Sequence, residues 1–177
     1  MKSKNAGMTL IELLVALAIL AVALSLGAPT FSSLVQHARE SNSYHLLTAS
    51  LATARLTAVR SGTPVTACPS SNGITCRNDD VWETGWLIYA DPGRADQPAD
   101  INAVLQHIDE RGGGLQLRST TGRPRVRFSP DGWSYGNNVT IRLCASGGKF
   151  LGQVVVNNAG RPRTERYAIP GLCPFQS

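Results

Sequence analysis

The sequence predicts an α+β protein: a long N-terminal helix, first hydrophobic and then amphipathic, followed by a sandwich-like antiparallel β-sheet domain. Three observations carry that expectation. The run from Leu10 to Ala28 holds a single charge, Glu12. Apolar residues then recur at three- and four-residue spacing to about Arg60. Beyond Pro64 the period shortens to two and turn residues punctuate it. Composition agrees. With 177 residues, 42% hydrophobic and 16% charged, the chain is neither disordered, collagen-like nor coiled-coil. A porin-like barrel is excluded because one segment holds most of the lipid-grade hydrophobicity.

The first element is the apolar run. As a helix it spans about 28 Å, close to a bilayer core of about 30 Å. Lys2 and Lys4 precede it, and the next basic residue is Arg39. The N-terminus is therefore expected in the cytoplasm and the rest of the chain across the membrane. A secretory signal has a core of about 7–15 residues, shorter than this run. An acid at the centre of a span costs about 2.5 to 3.5 kcal/mol, and even near the edge it needs a partner. Cleavage after Gly7 would supply one: the new α-amino group of Met8, on this chain or on a neighbouring subunit.

Gly7-Met8-Thr9-Leu10-Ile11-Glu12-Leu13 resembles the class III signal of type IV pilins and type II secretion pseudopilins. The resemblance implies a cleaved leader, residues 1–7, removed by a prepilin peptidase between Gly7 and Met8, with N-methylation of the new terminus. It implies that Glu12 pairs with a neighbour's terminal amine as the filament assembles. The family most often has Phe where this chain has Met8. Pro29 falls where pilins commonly carry a helix-kinking proline, which lacks a donor and clashes with the preceding turn. Residues 8–30 are then the transmembrane and filament-core half of the helix. The expected location is the inner membrane, single-pass with the C-terminal domain periplasmic, and later the extracellular filament beside other pilins.

Residues 31–62 form the amphipathic half. Phe31, Leu34, Val35, Ala38, Tyr44, Leu47, Leu51, Ala54, Ala58 and Val59 make a stripe expected to pack on the C-terminal domain. Ser61-Gly62-Thr63-Pro64 ends it. Residues 63–177 are expected to be β-rich, with strands at Val65–Cys68, Gly85–Tyr89, Val104–Ile108, Leu115–Arg118, Arg125–Phe128, Val139–Leu143 and Gln153–Val156. The polar stretch Arg94–Ala103 is expected to be a surface loop.

Cys68, Cys76, Cys144 and Cys173 form an even set in a chain expected outside the cytoplasm, which points to disulfides. Three pairings are open. Cys68–Cys76, closing a tight loop, and Cys144–Cys173, tying down the tail, are favoured. Their spacing does not match short zinc knuckles, so neither metal nor cofactor is expected.

The net charge of +5 is unevenly spread. Residues 1–62 carry +3, residues 63–111 carry −5 and residues 112–177 carry +7. Eight of the nine basic residues in the last segment are arginine, which forks phosphate oxygens bidentately. Arg123, Arg125 and Arg127 would share one face of a strand. Gly160 and Pro162 would hold Arg161 and Arg163 on a stiff loop. The simpler reading is a solvated face that offsets the acidic middle segment.

Phe128-Ser-Pro-Asp-Gly132, Val139-Thr-Ile-Arg-Leu-Cys144 and Val154-Val-Val-Asn-Asn-Ala-Gly160-Arg161-Pro162-Arg163 resemble the C-terminal domain of FimT/GspH-type minor pilins. In FimT-like members a GRxR motif binds DNA during natural transformation. The resemblance implies that Gly160, Arg161 and Arg163 contact DNA through its phosphate backbone. The second copy, Gly122-Arg123-Pro124-Arg125, lies away from the family's position. Arg123, Arg125 and Lys149 are expected helpers on charge alone. The alternative is a structural minor pilin or pseudopilin that does not bind DNA. No enzyme is expected: His37, His45 and His107 lack carboxylate partners at motif spacing, and no nucleophile-elbow, metalloprotease or phosphate-loop pattern occurs. Trp82, Trp86 and Trp133 could stack bases, but core burial is the favoured expectation for all three.

Overall fold

The computed structural model describes residues 9–109, 114–136, 138–145, 147–167 and 171–175; the side chains of 26–30, 32 and 33 are left aside. Gly7 and Met8 lie outside these residues. The chain divides into two units, Met1–Arg39 and Glu40–Ser177.

Helix α1 (Leu10–Ser61) runs through both. Its start is a capping box: the Glu12 carboxylate accepts the Thr9 N–H at 2.8 Å and the Thr9 hydroxyl at 2.9 Å. Thr9 Oγ1 in turn accepts the Glu12 N–H at 3.3 Å. Glu12 thus satisfies its own helix end in the single chain. In the first unit Leu10, Ile11, Leu13, Leu14, Leu17 and Leu20 stand exposed. Among the described residues no helix is long and apolar enough to cross a membrane. The expected span reaches Ala28 and so extends past the described side chains.

In the second unit α1 buries Tyr44, Leu47, Leu51, Ala54 and Ala58. Their alternating three- and four-residue steps keep one stripe facing the sheets. The stripe expected from Phe31 is corrected here. Phe31, Leu34 and Ala38 are exposed, and Val59 lies off the stripe. Truncating Leu51 to alanine removes a fully buried side chain and should cost about 2–5 kcal/mol.

Among the described residues, eight antiparallel strands follow: β1 (Val65–Pro69), β2 (Trp86–Ala90), β3 (Val104–Ile108), β4 (Leu115–Ser119), β5 (Val126–Phe128), β6 (Val139–Ala145), β7 (Phe150–Val156) and β8 (Pro162–Arg166). They form two four-stranded sheets, ordered β3-β2-β1-β5 and β4-β6-β7-β8. The eighth strand corrects the expected loop around Arg163. A 3-10 turn, Ile101–Ala103, sits at the end of the expected loop.

The main core joins the α1 stripe to the inner faces of both sheets, including Trp86, Ile88, Phe128, Leu117, Ile141 and Val154. Cys68, Cys76, Leu87 and Tyr89 make a second cluster. β1 and β2 are therefore buried on both faces, which is why Trp86-Leu-Ile-Tyr89 reads as an unbroken apolar run. Disulfides join Cys68 to Cys76 and Cys144 to Cys173. The second closes a loop worth about 3–4 kcal/mol in the chain-entropy model.

Candidate nucleic-acid interface

The turn between β7 and β8 is fixed from below. Gly160 is buried at φ +68°, and a Cβ there would stand 2.1 Å from the Gly132 carbonyl oxygen. Only glycine meets both demands. The Gly160 N–H donates to Asn157 O at 2.8 Å, and the Ser134 N–H donates to Asn158 O at 2.9 Å. Arg55 of α1 donates from Nε to Gly132 O at 2.9 Å. Helix, loop and turn are thus locked together, and the chain leaves this clamp at Arg161.

Arg161 is exposed and has no side-chain partner among the described residues. Arg163 lies on β8, an edge strand, paired across from Val155 on the outer face. It is 62% exposed and bonds Glu165 at 2.9 Å. A surface pair of this kind is weak and easily exchanged for another anion.

The other cations divide sharply. Arg123 sits in the turn before β5 and donates to the carbonyls of Asn138 at 3.2 Å and Gly136 at 3.4 Å. It therefore reaches the loop whose Gly132 carbonyl packs against Gly160. Arg125 and Arg127 do share one face of β5, but the acidic middle segment covers it. Arg125 is only 12% exposed; it donates to Asp96 O at 3.0 Å and to Asn78 Oδ1 at 2.5 Å. Arg127 bonds the Asp96 carboxylate at 2.8 Å and Ala95 O at 3.0 Å, with buried Asp91 at 3.6 Å. Arg118 pairs with Glu83. Arg166 is exposed, but its guanidinium lies over the Tyr44 ring, 5.1 Å from the centroid. Burial pushes the Tyr44 hydroxyl well above the ordinary range, so it stays neutral beneath that cation. Lys149 is exposed in the β6–β7 hairpin. The seven residues of β7 separate it from the Arg161 turn. At about 3.3 Å per residue that is about 20 Å, so the two are not brought together.

Trp82 and Trp86 are buried, but Trp133 is 46% exposed, which corrects the expectation for it. It stacks on Tyr135, itself 55% exposed, with centroids 5.8 Å apart and planes at 10°. The signal was its position: Trp133 lies between Pro130-Asp131-Gly132 and Gly136, inside a run of turn residues rather than an alternating strand. The Tyr135 hydroxyl and the Trp133 N–H together hold the Asp131 carboxyl below the usual carboxylate range. Among the described residues no cluster of His, Cys, Asp or Glu could hold a metal ion.

The pattern of the family described as "Type II transport protein GspH" matches residues 45–160, more than half of the chain. That of the "Prokaryotic N-terminal methylation motif" matches residues 2–28. Two crystal structures of the type IV minor pilin FimU of Pseudomonas aeruginosa share the fold. One is 18% identical with a TM-score of 0.60, covering 76% of this chain and 94% of that one. The other is 19% identical with a TM-score of 0.58, covering 76% and 99%. The minor pseudopilin EpsH of the Vibrio cholerae type 2 secretion system is 13% identical with a TM-score of 0.51, covering 73% and 98%. No curated protein sequence matches. The capped N-terminal helix, the two antiparallel sheets and the two family patterns agree: the chain belongs to the GspH family of minor pilins and pseudopilins, whose members are structural subunits and not enzymes.

Proposed function

We propose that this chain is a minor pilin of a type IV pilus that binds extracellular DNA through Arg161 and Arg163 and so supports natural transformation. A prepilin peptidase cuts after Gly7. The subunit then waits in the inner membrane, its single span placing the C-terminal domain in the periplasm, before joining other pilins with Glu12 against a neighbour's terminal amine.

One observation carries the DNA reading: an exposed Arg161, with no side-chain partner among the described residues, leaves a turn that Gly160 locks onto the body of the domain. A preplaced guanidinium loses little freedom on meeting a phosphate. Contacts of this kind position DNA without reading its bases, so little sequence preference results. Arg123, near the same loop, is the better-placed helper. Arg125 is already engaged and Lys149 sits at the far end of its sheet, so both contribute less.

The full chain in nonionic detergent, titrated with labelled duplex DNA, tests this. Arg161→Ala/Arg163→Ala should weaken binding about tenfold or more. Equal binding by variant and wild type would remove the site.

A structural subunit that ignores DNA is the second reading. The capture of Arg125 and Arg127 by Asp96 favours it, because that basic face is neutralised within the chain. In that case the wild type binds no DNA at low salt, and Arg161 meets an acidic neighbour in the filament or pseudopilus.

A further inference from the structure

We infer that the stacked Trp133–Tyr135 pair is a platform for unpaired bases, and that the DNA form preferred at this end of the domain is single-stranded. The inference rests on the DNA-binding reading above and adds the chemistry that selects the strand.

Trp133 and Tyr135 project outward on either side of Ser134, which is fully buried. Two large rings with about half their surface in water are a poor use of residues that would each stabilise a core. Their stack is held before any ligand arrives. Asp131 Oδ1 accepts the Trp133 N–H at 3.0 Å, and Asp131 Oδ2 accepts the Tyr135 hydroxyl. Trp133 O accepts the Ser129 N–H at 2.8 Å, and the Ser134 N–H reaches Asn158. The backbone of the loop and the Tyr135 ring are therefore held before binding, and Trp133 is ordered through its stack on Tyr135.

Basic residues lie near both ends of the loop that carries the rings. Gly132, next to Trp133, is the residue against which Gly160 is clamped, and the exposed Arg161 comes immediately after Gly160. On the other side Arg123 donates to Gly136 O, beside Tyr135. Tyr135 also walls a cleft of about 190 Å³ that Arg94 and Arg127 enter, Arg94 donating to Ser129 Oγ at 3.2 Å. The opposing charge is Asp131, whose oxygens are both occupied by the aromatic pair and which Arg94 partly offsets.

Aromatic faces between phosphate-seeking cations match a single strand, whose bases offer free π-faces at the spacing of its backbone charges. A duplex keeps those faces stacked inside and offers only phosphates. The cations serve both forms; the rings serve one.

The test uses the full chain in nonionic detergent with a short oligothymidine and a duplex of equal length. Trp133→Ala should weaken single-strand binding about tenfold and leave duplex binding within about twofold. Trp133→Phe should retain most single-strand affinity. Trp82 and Trp86 are buried, so quenching of tryptophan emission by the single strand should vanish in Trp133→Phe. Because the side chain is exposed, thermal midpoints should match the wild type; Tyr135→Ala is the second probe and should also weaken single-strand binding alone. Unchanged single-strand affinity in both ring variants overturns the platform, while the DNA-binding reading survives if Arg161→Ala/Arg163→Ala still weakens duplex binding. Equal losses on both DNA forms overturn the strand preference. No binding of either form by the wild type overturns both readings.

Discussion

Gly122-Arg123-Pro124-Arg125 and Gly160-Arg161-Pro162-Arg163 are the same four residues in two places, and the fold treats them differently. Both glycines sit at positive φ, and both copies lead into a strand. Local sequence thus sets the same backbone habit twice. The surroundings do not repeat. A Cβ on Gly122 would meet open space, whereas one on Gly160 would strike the Gly132 carbonyl. Arg125 is gripped by Asp96 and Asn78. Arg163 has only its neighbour Glu165, and Arg161 has no partner among the described residues. The second arginine of the first copy is spent on holding the acidic 91–97 loop; both arginines of the other are presented to solvent on a rigid support. A short basic motif therefore has no fixed role. The charge packed against it decides.

The largest test of this contrast is steric. Gly160→Ala must displace backbone, and should cost about 3 kcal/mol or more in urea unfolding. Gly122→Ala carries only the positive-φ strain and should cost about 1 kcal/mol. Similar losses at the two sites would erase the distinction. Next in size is an exchange of roles. Asp96→Asn frees Arg125 and Arg127 from their shared carboxylate and should raise DNA affinity about two- to threefold, read by anisotropy at low salt. An unchanged affinity would mean that the β5 face cannot reach DNA even when uncovered. The smallest effect is a titration. The Tyr135 hydroxyl, then the Trp133 N–H, lowers the Asp131 carboxyl below its ordinary value. The order it gives the loop is therefore complete above about pH 4 and is lost as the pH falls through the lowered value. Trp133 emission should be flat from neutral pH down to about 4 and change below it.

Much of the fold was legible because single residues carry strong local meaning. Ser61-Gly62-Thr63-Pro64 marked the end of α1, which is Ser61. Alternation marked β4 and β6, where each inward residue has a polar neighbour. Strand β8 was hidden because Pro162, Arg163, Glu165 and Arg166 hold no apolar alternation; an edge strand can be that polar, and polarity protects it from stray pairing. The start of the packed stripe was misplaced at Phe31 because an apolar side chain does not say which partner it faces. Phe31 and Leu34 look like Tyr44 and Leu47 in sequence, yet only the second pair is buried.

The site was legible in part. Arg161 stood out through its glycine and its place after the valine strand. The neutralisation of Arg125 and Arg127 depends on Asp96 and Asp91, about thirty residues earlier, and the pairing of β1 with both β2 and β5 brings those charges together. The distance of Lys149 from Arg161 comes from β7 running straight between them, a fact of length and not of charge.

The central claim is that Arg161 and Arg163, and not Arg125 and Arg127, are the main phosphate contacts. The salt dependence of DNA binding measures phosphates neutralised rather than affinity alone. The account predicts that Arg161→Ala/Arg163→Ala lowers the magnitude of the slope of log K against log salt by about 1.8, two phosphates' worth, while Arg125→Ala/Arg127→Ala leaves it unchanged. An unchanged slope in the first variant, or a loss confined to the second, would contradict it.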